Sequence, residues 1–137
     1  MVGQSKNGAN AIRAVIWRSG STIAVPLGEL IGGGSRSFAY AVNATGIIVG
    51  EALTAGDAAS HAVRWTDNGD GGFNIADLGT LGGTDSFAGA VNGSGLIVGG
   101  AETLSNGSHA FFYISGTMYD LNDYGSRTGE TDRDGLG

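Results

Sequence analysis

The chain has 137 residues, room for one domain and little more. Its 27 glycines, single proline and apolar content led by Ala, Val and Ile read as turns and strands rather than disorder, while a net charge of −6 excludes a basic protein. The seven basic residues, Lys6, Arg13, Arg18, Arg36, Arg64, Arg127 and Arg133, are dispersed rather than clustered, so no nucleic-acid partner is expected; without cysteine there is no disulfide, thiolate metal site or thiol nucleophile.

Taken in order, the chain repeats itself. Val2-Gly3-Gln4 is matched by Val49-Gly50-Glu51 and Val98-Gly99-Gly100, so the chain reads as starting inside a repeat. AVIW at 14–17 recurs as AVRW at 62–65 and AFFY at 110–113, each 48 residues on. The segment at 37–52, SFAYAVNATGIIVGEA, returns at 86–101 as SFAGAVNGSGLIVGGA, with 11 of 16 positions identical. A constant period in the range of 20–50 residues marks a repeat architecture. Alternation of apolar and small residues, broken by Gly and Asn, predicts four short strands in the middle copy, at 38–43, 46–53, 60–66 and 73–78. Asn43 and Asn92 each open an N-x-[ST]-G turn, and this explains them better than the glycosylation pattern they share with Asn106. Pro26, in the last strand of its unit, requires a sheet edge because it lacks an N–H.

The expected fold is therefore all-β, in antiparallel four-stranded units of about 48 residues arranged as β-propeller blades, with a threefold β-prism or β-trefoil as the competing arrangement. The units are 1–36, lacking its first strand, then 37–85 and 86–121, followed by an acidic, Gly-rich tail at 122–137 expected to be poorly ordered. Eleven strands result, with open sheet edges at both ends. Exposed edges favour pairing, so either the sequence is a piece of a longer repeat array or copies of the chain complete one another; a homo-oligomer is expected, a dimer first.

The run DLGTLGGTDSFAGAVNGSGLIVGGA followed by SHAFFY and MYDLN resembles the HAF repeat family, over about Val2 to Asn122. The motif is carried by Asp77-Leu78-Gly79-Thr80-Leu81-Gly82-Gly83, Ala90-Val91-Asn92, Gly95, Val98-Gly99 and His109-Ala110-Phe111. The first copy departs from it, with Arg13 for His, Pro26 for Asp and a longer loop. The resemblance implies an extracellular, propeller-like protein with no defined activity. The start of this sequence carries no secretory signal, and no apolar stretch approaches a membrane span, so no membrane insertion is expected.

Residues at the same place in every repeat are expected to build the fold. His61 and His109 are equivalent, each between Ser and Ala, and read as structural rather than as general bases. Trp17, Trp65 and Tyr113 are equivalent too; as candidate ligand-binding residues they would form sugar-stacking platforms, and otherwise they pack between units. The acids outside the repeat pattern, Glu29, Glu51, Asp57, Asp67, Asp70, Asp85 and Glu102, fall in no hydrolase motif. Glu130 to Gly135 and Asp67 to Asp70 resemble the start of a calcium loop but are incomplete and read as solvated turns. No catalytic residue, metal or cofactor is assigned. The expected function is a non-enzymatic structural or interaction module with a protein or glycan ligand, presented by the loops at 29–36 and 53–60; a lectin and then a hydrolase are the alternatives.

Overall fold

A computed structural model describes residues 1–105 and 107–125. The chain is all-β, in three antiparallel sheets. Sheet 1 contains β1 (Val2–Lys6), β2 (Ile12–Trp17) and β3 (Ala24–Pro26) in the order β1-β2-β3. Sheet 2 contains β4 (Ser37–Val42), β5 (Ile48–Leu53), β6 (Ser60–Asp67) and β7 (Phe73–Gly79), again in sequence order. Sheet 3 is built the same way from β8 (Gly82–Val91), β9 (Ile97–Thr103), β10 (Ser108–Ile114) and β11 (Thr117–Asp120). Among the described residues the helical pieces are a 3-10 turn at Ala55–Asp57 and a four-residue helix at Asn122–Gly125, where the sequence predicts no helix. The rest of the expected tail, including the calcium-like Glu130 to Gly135, lies outside the described residues, as does Asn106.

Local chemistry accounts for the boundaries. The second strand of sheet 2 begins at Ile48 rather than at the expected position 46, because the turn consumes two more residues. Asn43 Oδ1 accepts hydrogen bonds from the Thr45 and Ile47 backbone N–H groups, and Gly46 takes a positive φ of 91° that an L side chain resists. Asn92 repeats the device with Ser94 and Leu96. Pro26 sits on the edge strand β3, opposite Val15 and with no neighbour on its other side, where a missing N–H leaves no ladder bond unmade.

β4 and β8 each carry a bulge, at Ala39/Ala41 and Ala88/Ala90. A side chain on Gly50 would collide with the Phe38 carbonyl, and one on Gly99 with the Phe87 carbonyl. Glycine is therefore a packing requirement at the centre of β5 and β9.

Alternation places neighbouring residues on opposite faces, and each face joins a different core. Ala14 and Leu27 of sheet 1 pack with Ala39, Ile48, Ala52, Val63 and Trp65 of sheet 2. Val49, Ala62 and Leu78 on the reverse of sheet 2 pack with Ala88, Ile97, Ala101 and Phe111 of sheet 3. The core is thus two layers between three stacked sheets, and each buried Ile or Val contributes on the order of 1.5–3 kcal/mol.

Candidate functional site

Two serines sit where one sheet meets the next. A bulge between Ala62 and Val63 withdraws the Ala62 N–H from the β6–β7 ladder. Ser86 Oγ, at the start of β8, accepts that N–H at 2.8 Å and donates to the Gly79 carbonyl at 2.5 Å. At the preceding interface Ser37 makes the first of these bonds only, accepting from the Ala14 N–H at 2.9 Å. Both serines are buried, so each bond replaces water that the backbone group would otherwise need.

The three equivalent aromatics do not share a surface. Trp65 is fully buried between sheets 1 and 2, with Nε1 donating to the Gly28 carbonyl at 3.0 Å. It has no area left for stacking a sugar. Tyr113 is half-buried between sheets 2 and 3, with the Arg64 guanidinium 5.9 Å from its ring centre. Trp17 is half-buried on the outer side of sheet 1, its ring 3.3 Å from where a side chain on Gly3 would start.

His61 Nδ1 lies 2.8 Å from Asp77 Oδ2, and His109 Nδ1 lies 2.7 Å from Asp120 Oδ2. Asp77 and Asp120 each also accept a backbone N–H two residues on, from Gly79 and Asn122. The His109 hydrogen bond holds the Asp120 carboxyl below the usual aspartate range, partly opposed by desolvation. In sheet 1, Pro26 replaces the aspartate, and Arg13 turns instead to Glu29 at 3.4 Å and to the Gly34 carbonyl. The His–Asp pairs join the third and fourth strands of sheets 2 and 3, whereas in sheet 1 Arg13 ties β2 to the loop that follows β3.

The two loops nominated from sequence meet. Gly34 N–H donates to the Leu53 carbonyl, and Leu53 N–H to that of Arg36. Asp57 accepts from both the backbone N–H and the hydroxyl of Ser35, which lowers its pKa. The Asp67–Asp70 turn is closed by its own backbone, with Gly69 N–H on Asp67 and Asp70 N–H on Asn68. Among the described residues, no three His, Cys, Asp or Glu side chains form a group that would hold a metal ion, and no helix is long and apolar enough to cross a membrane.

One non-repeating feature was missed from the sequence. A shallow cleft of about 420 Å³ is lined by Tyr40, Glu51, Phe87 and Gly89. Tyr40 and Phe87 are each 46% exposed, and the Tyr40 hydroxyl donates to Glu51 Oε1 at 2.9 Å. Partial burial, then the Glu51 carboxylate, push the Tyr40 phenol above its ordinary value. In the next unit the equivalents are Gly89 and Gly100, and the Phe87 ring lies over Gly100. Tyr40 and Glu51 thus disappear together, a paired difference that a position-by-position comparison of the repeats exposes.

These sheets and their joints define an all-β repeat protein. Comparison with protein-family models, with curated proteins and with solved structures finds no match to this chain.

Proposed function

We propose that the chain is a non-enzymatic structural or interaction module, its sheets serving as blades of a β-propeller-like, HAF-type repeat array that acts outside the cell. The observation that supports it most directly is the repeated joint: Ser37 and Ser86 bridge successive sheets through the same backbone group. Chemistry-bearing residues that recur in this way stabilise a scaffold, and the scaffold leaves its loops and clefts for recognition. The module reading expects no turnover in a panel of generic esterase and glycosidase substrates. Turnover that is lost on Glu51→Gln overturns it.

The lectin alternative is favoured by a specific observation, though at a different place from the one nominated in the sequence. The exposed rings of Tyr40 and Phe87 beside the Glu51 carboxylate offer a sugar both an apolar face and a hydrogen-bond acceptor. A glycan-array signal that disappears in Tyr40→Ala and Phe87→Ala but persists in Trp17→Phe establishes this reading. Signals indifferent to all three substitutions eliminate it.

A further inference from the structure

Each of the two buried interfaces joins unlike faces. One partner presents the face with Val49, Ala62 and Leu78, or Ala14 and Leu27; the other presents the face with Ile48, Val63 and Trp65, or Ile97 and Phe111. Sheet 2 has one of each, and both are covered. Sheet 3 has an open face of the first kind, on which Val98, Ala110 and Leu121 stand where sheet 2 has Val49, Ala62 and Leu78. Val98 is 38% exposed and Leu121 37%, against 0% for Val49 and 7% for Leu78. Sheet 1 has an open face of the second kind, on which Met1 and Trp17 stand where sheet 2 has Ile48 and Trp65.

The open face of sheet 3 is more apolar than its covered counterpart. Phe112, stacked on Tyr119 at 4.9 Å, takes the place of Arg64. A repeat face left to water is expected to be polar, and this face has moved the other way.

We propose that the open face of sheet 3 docks head to tail on the open face of sheet 1 of a second copy of this chain, repeating the internal joint. The inference rests on the module reading above. The partner is a second copy because the two open faces of one chain are the two unlike halves of the joint it already makes twice. Such contacts are heterologous, so copies form a closed ring or a growing chain, according to the rotation at each joint. Trp17 then takes up the position of Trp65, buried against the partner's third sheet.

The test is the mass of the folded 137-residue chain at tens of micromolar, by light scattering coupled to size exclusion. The expected result is two or more times 13.7 kDa. Val98→Asp and, separately, Ala110→Arg are expected to reduce it to a single chain while the strand circular dichroism is retained, whereas Ile31→Asp, at a fully exposed loop position, leaves it unchanged. A wild-type monomer, or an oligomer that survives both face substitutions, overturns the docking. A folded monomer leaves the module reading standing, while turnover in the substrate panel removes that reading whatever the mass.

Discussion

The joint between sheets 1 and 2 and the joint between sheets 2 and 3 satisfy one backbone carbonyl in two different ways. At the first, the Gly28 carbonyl accepts from the Trp65 indole; at the second, the equivalent Gly79 carbonyl accepts from the Ser86 hydroxyl. Where tryptophan makes the bond, Ser37 is left with one bond, to Ala14. Where Tyr113 replaces tryptophan, Ser86 makes two bonds and Arg64 packs over the tyrosine ring. What recurs is the need to satisfy a partly buried carbonyl, and the donor is negotiable.

The largest expected effect breaks the first joint. Trp65→Ala removes the largest fully buried side chain and the Gly28 donor together, and is expected to lower unfolding free energy by about 4 kcal/mol in urea titrations. Trp65→Phe restores most of the volume without the donor and recovers most of that loss. Equal losses for the two variants would show that the hydrogen bond, not the packing, governs this joint.

Next come the serines, which sharpen the comparison. Ser86→Ala is expected to cost about 2 kcal/mol and Ser37→Ala about 1 kcal/mol, because the first strands a donor and an acceptor and the second a donor only. Equal costs would mean that the Gly79 bond contributes nothing beyond the Ala62 bond.

The smallest effect is that of acid on the edge of sheet 3. Asp120 has a folded pKa below its unfolded value, so it stabilises the fold above the ordinary aspartate value and loses that contribution as pH falls through the folded one. Asp57 acts in the same direction. The urea midpoint is therefore expected to drop below about pH 4, and the drop to be shallower in Asp120→Asn. An unchanged acid slope in that variant would remove Asp120 from the account.

Much of the architecture was legible because repetition makes each copy a control for the others. A period of 48 residues, alternation within each run and the Asn-led turns placed the strands of sheet 2 within two residues at each end. Pro26 announced its edge by chemistry that no context changes. The candidate ligand residues fared differently. Trp65, Trp17 and Tyr113 look alike in sequence, yet one is fully buried, one half-buried on an outer face and one half-buried beneath a guanidinium. Their exposure depends on whether another sheet lies against them, and period-2 patterns do not say which of two apolar faces is covered.

Sequence patterns alone established that this is an all-β repeat protein, where its turns fall, and that Pro26 occupies a sheet edge. Those properties are set by local sterics and by hydrogen bonds within a few residues. Only the tertiary structure decided that Ser37 and Ser86 join sheets, that the loops at 29–36 and 53–60 meet, and that Tyr40, Glu51 and Phe87 line one cleft. Those pairings lie about 11 to 47 residues apart along the chain. They exist because stacking unlike sheet faces buries apolar area, a non-directional driving force that the strand pattern announces without naming its partner.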